Sequence, residues 1–107
     1  MYEGDSFKRD MSYHQGVPWV WLLGLYFDSL KNLIKVEKNV VVKKELKKKL
    51  EDFIKTTYDT FEKEIKKEDC IGGISELYDA KYPYKAGGAC NQAWSVSEVL
   101  RIIKELL

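Results

Sequence analysis

The residues best suited to acid or base chemistry lie in Gly72-Gly73-Ile74-Ser75-Glu76-Leu77-Tyr78-Asp79. A glycine turn can set Glu76 among apolar neighbours, where partial burial tunes a carboxyl for proton transfer. Local chemistry alone favours a plainer reading, a solvated loop glutamate. Asp79, a little further on, is either a second polar contact or an ordinary turn residue. A second group of candidates precedes the first apolar stretch: His14 and Gln15, followed by Trp19 and Trp21. Indole faces stack on sugar rings or bases, while imidazole and amide groups hydrogen-bond hydroxyls. His14 is the only histidine and fits a capping or surface role equally well. With no second histidine and no acidic spacing motif, zinc finds no ligand set, and no cofactor is expected.

The two cysteines, Cys70 and Cys90, bracket the segment that holds Glu76 and show no CxxC spacing. Neither a redox motif nor a metal knuckle is indicated. A disulfide between them would close the connection, with a stabilisation of roughly 3 kcal/mol by loop entropy. Free thiols are the expectation for an intracellular chain.

These residues need elements to hold them, and the sequence reads as three helices with two long connections. The first opens near Pro18 and runs to about residue 35, through Val20, Leu22, Leu23, Leu25, Tyr26, Phe27, Leu30, Leu33 and Ile34. It is apolar almost all round, so something beyond a three-helix chain is expected to cover it. Trp19 and Trp21 stand two apart and cannot share a helix face. One of them is therefore expected in the core. The second helix, about 41–68, carries one apolar stripe: Val42, Leu46, Leu50, Phe53, Ile54, Tyr58, Phe61 and Ile65. The rest of it is charged. Its lysine cluster, Lys43, Lys44, Lys47, Lys48 and Lys49, is interleaved by Glu45, Glu51 and Asp52, which reads as a solvated face and not as a phosphate-binding one. The third helix, about 95–107, opens on Ser95-Val-Ser-Glu98, a capping box, with Trp94 placed to staple onto Val99. Between the last two helices, the connection at about 70–93 is long enough to need a functional reason.

The 107 residues make one domain at most. A net charge of +1 from 18 basic and 17 acidic side chains supplies no field to draw in nucleic acid or an anionic membrane. No apolar run approaches the roughly 18 to 20 residues that span a bilayer. Neither nucleic acid nor membrane is expected as a partner, and a soluble cytoplasmic protein is the expectation.

Taken in order, Tyr13-His14-Gln15-Gly16, Trp19-x-Trp21-Leu22, Gly73-Ile74-Ser75-Glu76-Leu77-Tyr78-Asp79, Pro83 with Gly87-Gly88, and Gln92-Ala93-Trp94-Ser95 with Glu98-Val99-Leu100-Arg101 resemble the C-terminal end of glycogen debranching enzymes. The family is of the amylo-alpha-1,6-glucosidase type, whose catalytic domain is an (α/α)6 toroid. The resemblance covers residues 12 to 106, apart from the charged middle helix, where only the pattern agrees. It departs at Val17-Pro18-Trp19-Val20-Trp21, where the family usually has its proline between the two tryptophans.

The resemblance implies an all-α fold, with residues 1–107 a single partial catalytic-domain segment holding the last helices of the toroid. It implies inverting hydrolysis of an α-glucan or oligosaccharide, with Glu76 as general base. His14, Gln15, Trp19 and Trp94 would line the glucose site, and Gln92 would bind there or position the loop. Inverting chemistry needs a second carboxyl, a general acid roughly 6.5 to 9.5 Å from the base. In the family it comes from an earlier part of the toroid, and Glu3, Asp5 and Asp10 match no acid motif. The chain is therefore expected to be inactive alone. It would pair with an upstream toroid segment or with a second copy of itself. A small carbohydrate-binding or complementing subunit is the alternative, and a self-associating helical domain without sugar function is the plainest one.

Overall fold

The computed structural model describes residues 1–66 and 71–106. The fold is all-α with one small hairpin. The elements are α1 (Ser6–Ser12), α2 (Leu22–Val36), α3 (Val40–Glu64), β1 (Leu77–Tyr78), β2 (Ala86–Gly87) and α4 (Ala93–Ile103), followed by a 3-10 turn at Lys104–Leu106. Cys70, and with it the expectation for the Cys70–Cys90 pair, lies outside the described residues; Cys90 is exposed.

The first long helix begins at Leu22 and not near Pro18, because the backbone before it is used otherwise. The Pro18 carbonyl accepts from Tyr78 N at 3.0 Å, and Val20 N donates to Glu76 O at 3.3 Å. Trp19 forms an antiparallel bridge with Leu77. Residues 18–20 thus form an extended edge alongside the loop that carries Glu76. The helix starts only once the Leu22, Leu23 and Gly24 amides turn back onto the Trp19, Val20 and Trp21 carbonyls. Because both tryptophans precede the helix, the face argument does not apply to them. Neither is a core residue; both are half-buried.

The α2–α3 junction is set by Asn39, whose side chain accepts from Val41 N at 3.0 Å and Val42 N at 3.3 Å. These are orphan amides of the first turn of α3. Helix α3 has all its buried residues, Ile54, Thr57 and Phe61, in its C-terminal half, with Leu50 and Phe53 packing against the core beside them. Its first turn projects into solvent with Val40 and Val41 exposed.

Two clusters make the core. Val20, Phe61, Ile74 and Val99 form one, and Phe27, Ile54 and Ile102 the other. Leu23 packs against both. Helices α2 and α4 approach closely at Gly24, where a Cβ would collide with the Glu98 carboxylate. Arg101 bridges the same crossing: it donates to both oxygens of Asp28, to Glu98 and to the Gly24 carbonyl.

The capping-box expectation is corrected. Helix α4 starts at Ala93 with Gln92 as its N-cap, and Ser95 lies inside the helix, fully buried, its hydroxyl without a partner. The earlier start follows from the loop, because Gln92 N donates to Ile74 O at 2.9 Å and its carbonyl then receives Val96 N at 3.0 Å. Trp94 does not staple onto Val99. It is 53% exposed and stacks on Trp21.

The long connection is a hairpin-like excursion. Leu77 and Tyr78 pair with Gly87 and Ala86, and the ladder is extended by Glu76 N to Ala89 O and Asp79 N to Lys85 O, each at 2.9 Å. This arrangement pairs backbone groups of Ile74, Glu76, Leu77, Tyr78 and Asp79, which a loose loop would leave unpaired. The N-terminal segment is tied to it. Asp5 caps α1 by accepting from Lys8 N at 2.9 Å, and Tyr2 N donates to Asp79 Oδ1 at 2.7 Å. Asp79 is 3% exposed, so it is a buried anchor for the chain's first residues and not a surface turn residue.

Candidate functional site

Glu76 is half-buried where the loop passes beside the start of α4. Gln92 Nε2 donates to its Oε1 at 3.2 Å, and Ala89 N donates to its Oε2 at 3.2 Å. One donor on each oxygen fixes the rotation of the carboxylate and leaves lone pairs on both for a further donor such as water. Below it lies Gly88 at φ 71, where a Cβ would collide with Glu76 Oε2. Both the left-handed backbone and the close approach require glycine there.

Tyr13 completes the surround. Burial, and after it hydrogen bonding to Glu76 and the charge of its carboxylate, push the Tyr13 hydroxyl up to about 12. The phenol, protonated in the neutral range as any tyrosine is, acts toward Glu76 as a donor. Tyr13 is held by the residues around it: its ring meets Trp19 edge-on at 4.6 Å and His14 at 5.0 Å, and its carbonyl accepts from Trp19 Nε1 at 3.2 Å.

A cleft of about 460 Å³ is lined by His14, Val17, Trp19, Trp21, Leu22 and Trp94; Glu76 is not among its lining residues, but its backbone pairs with Val20, between the two tryptophans. Its walls are two stacked pairs. The His14 and Trp19 rings lie 5.4 Å apart and nearly parallel at 6°, and the Trp21 and Trp94 rings lie 4.5 Å apart at 13°. Two routes connect the cleft to Glu76: one through Tyr13, which touches His14 and Trp19, and one through Gln92, which precedes Trp94 at the start of α4. Broad aromatic faces can hold a ring with an apolar face, and a carboxylate with free lone pairs can accept a proton from water.

Of the residues singled out in the sequence, His14, Trp19 and Trp94 come together in the cleft, and Gln92 contacts Glu76 directly. Gln15 does not line the cleft. It sits in the turn after α1, exposed, its backbone N donating to Ser12 O at 3.0 Å. Two contributors were not placed in the glucose site: Trp21, grouped with the aromatic candidates while one of the two tryptophans was expected in the core, and Tyr13. The unbroken aromatic run Tyr13-His14, followed by Trp19 and Trp21, was the available signal for both. The N-terminal carboxylates are dispersed. Asp5 caps α1, while Glu3 and Asp10 line a polar hollow of about 490 Å³ with Arg9, Gly87 and Gly88.

The pattern of the chain, more than the cleft, defines its class: a glycoside hydrolase region of the glycogen-debranching type. The chain belongs to the amylo-alpha-1,6-glucosidase family, whose pattern it matches over residues 1–101. No curated protein and no solved structure matches it. Among the described residues, no helix is long and apolar enough to cross a membrane.

Proposed function

We propose that this chain carries the general-base side of an inverting α-1,6-glucosidase site, as the last helices of an (α/α)6 toroid acting on glycogen-like α-glucan in the cytoplasm. The observation that carries the reading is Glu76, held by Gln92 and Ala89 beside the cleft of His14, Trp19, Trp21 and Trp94. In this reading Glu76 takes a proton from the water that attacks the anomeric carbon. A carboxylic acid on the opposite face protonates the departing oxygen. That acid is supplied from outside these residues. Without it, most of a general-acid contribution of about 100- to 10,000-fold is missing, and the chain binds sugar without turning it over. Gln92 acts as a positioning residue for Glu76, and the stacked rings hold the glucose unit.

The outward row of α2, with Leu22, Leu25, Leu33 and Val36 all exposed, favours a second component of the reading. This face is covered by an upstream toroid segment or by a second copy of the chain, as in a complementing subunit of a split enzyme.

The test is a maltooligosaccharide titration followed by calorimetry and tryptophan fluorescence, alongside glucose release from branched glucan. Heat and a fluorescence change without glucose release are expected. Turnover abolished in Glu76→Gln would overturn the missing acid, and no heat with unchanged fluorescence would overturn the sugar site.

A further inference from the structure

A second hollow lies away from the aromatic cleft and shares no lining residue with it. It is a groove of about 610 Å³ between the C-terminal half of α3 and the turn of the hairpin. Thr56, Asp59, Thr60 and Lys63 border it on the helix side, and Tyr78, Pro83 and Tyr84 on the hairpin side. We propose that this groove is a second carbohydrate-binding surface that takes a linear α-glucan segment.

The hairpin turn presents aromatic surface that the core does not use. Tyr84 is 57% exposed and Tyr82 is 84% exposed, their rings edge to face at 6.1 Å. Tyr84 also occupies the left-handed region at φ 58, which a bulky side chain adopts at a cost on the order of 1 kcal/mol. The bond from Tyr84 N to Lys81 O at 2.8 Å keeps it there. The result is a ring fixed at the rim of the groove with Pro83 beside it.

Opposite this platform, Thr56 and Thr60 stand one turn apart on α3, with Asp59 and Lys63 on the adjoining turns, all exposed. Hydroxyls, a carboxylate and an ammonium facing an aromatic edge match the two-sided character of a pyranose, which is apolar on its faces and ringed by hydroxyls. A phosphorylated ligand is disfavoured, because Asp59, Glu64 and Asp79 line the groove against Lys63 alone. A lysine-rich peptide is the rival occupant. The hydroxyl pair and the lysine on the rim favour the neutral sugar. The choice of α-glucan rests on the function proposed above; the groove itself does not.

The experiment is a maltoheptaose titration of the 107-residue chain followed by amide chemical shifts, with a lysine-rich peptide as a separate arm. Shifts are expected at Thr56, Asp59, Thr60 and Tyr84 as a group separate from those at His14 and Trp94. Tyr84→Asn, which tolerates the left-handed backbone, should weaken the groove group about fivefold to tenfold and leave the cleft group unchanged. Asp59→Asn, on an exposed helix face, should weaken the same group and serves as the check should Tyr84→Asn not fold. Shifts at the cleft alone would overturn the groove and leave the function standing. Shifts at the groove alone would do the reverse, and none at either would overturn both. Groove shifts with the peptide alone, or groove affinity unchanged in both variants, would also overturn the proposal.

Discussion

Gln92 Nε2 donates to Glu76 Oε1 at 3.2 Å, joining the residue that caps α4 to a carboxylate 16 positions earlier in the loop. The contact ties the start of a helix to the chemistry of the site. The cap also uses its backbone, with Gln92 N on Ile74 O at 2.9 Å, so the side chain is aimed by the same bond that fixes the helix register. Gln92→Ala should cost about 1 kcal/mol in urea unfolding, the net worth of one such hydrogen bond, and should weaken maltooligosaccharide binding. Gln92→Glu sets two carboxyls together, which raises one of them in the folded state. Stability of that variant should then fall as pH rises through the carboxylate range, because its folded form binds more protons than the unfolded one. A Gln92→Glu chain with the pH profile of the parent would remove the contact from the argument.

Gly88 is where the backbone passes under Glu76. Any side chain there meets the Glu76 carboxylate and must also accept φ 71. Gly88→Ala should cost about 1 to 2 kcal/mol and shift Glu76 away from Gln92. Urea midpoints read the first effect. The Gln92 side-chain amide resonances read the second, and their constancy would show that Glu76 does not need the glycine.

Ser95 separates the sequence reading from the structure by the sign of one substitution. As an N-cap, Ser95→Ala would destabilise by about 1 kcal/mol. In the structure the hydroxyl is fully buried without a partner, so Ser95→Ala removes a desolvated polar atom and should be neutral or stabilising by up to about 1 kcal/mol. Thermal unfolding of the variant decides between them.

The pattern of Ser95 runs through the molecule. Long periodic stretches were legible: the stripe of Leu50, Ile54 and Phe61 on α3, and Val99 on α4, depend only on helix spacing, whereas Ile102, which the same helix buries completely, was not picked out. Boundaries set by long-range backbone bonds were not. Pro18 and Val20 are extended because Tyr78 and Glu76 pair with them, and no local signal carries that. The two-residue strands of the hairpin have no alternation to read, and α1 buries nothing, so it has no apolar period. Around the cleft, His14, Trp19 and Trp94, picked by residue type and order, come together and Gln92 reaches Glu76, while Gln15, picked with them, stays apart. Tyr13 and Trp21 were not assigned, because their roles follow from stacking geometry that only the folded chain defines.

The α2–α4 crossing makes an acid-sensitive contribution. Asp28 receives Arg101 Nη1 at 2.7 Å and Nη2 at 3.0 Å, and this hydrogen bonding holds the Asp28 carboxyl below its ordinary range. A depressed folded-state value contributes stability above the unfolded value of about 4, and the contribution is lost as pH falls through the folded value. Both partners are nearly half exposed, so the pair contributes roughly 0.2 to 1 kcal/mol. Asp28→Asn should be less stable than the parent by that amount at pH 7, with the gap narrowing as pH falls below the ordinary carboxylate range. A gap that persists at acid pH would point to packing and not to charge.

Helix α2 carries a second apolar row opposite its core-facing one. Phe27 and Leu30 face inward and are buried, while Leu22, Leu25, Leu33 and Val36 point out, with Leu25 at 55% and Leu33 at 50% exposure. The outward row follows helix spacing along the whole element, interrupted only at Ser29, so it is continuous enough to seat another helix. Water contact along such a row is unfavourable by about 25 cal/mol for each Å² of apolar surface, which favours association whenever a matching surface is present. In the isolated chain the matching surface available is the same row on another copy, and a two-fold pairing of α2 helices covers both at once. Sedimentation equilibrium at micromolar concentration should therefore give a mass above that of the monomer. The double variant Leu25→Lys, Leu33→Lys should return it to the monomer with unchanged maltooligosaccharide binding, since the cleft reaches α2 only at Leu22. A parent chain that stays monomeric would leave the row to an upstream segment of the toroid, whose addition as a separate polypeptide should then restore glucose release.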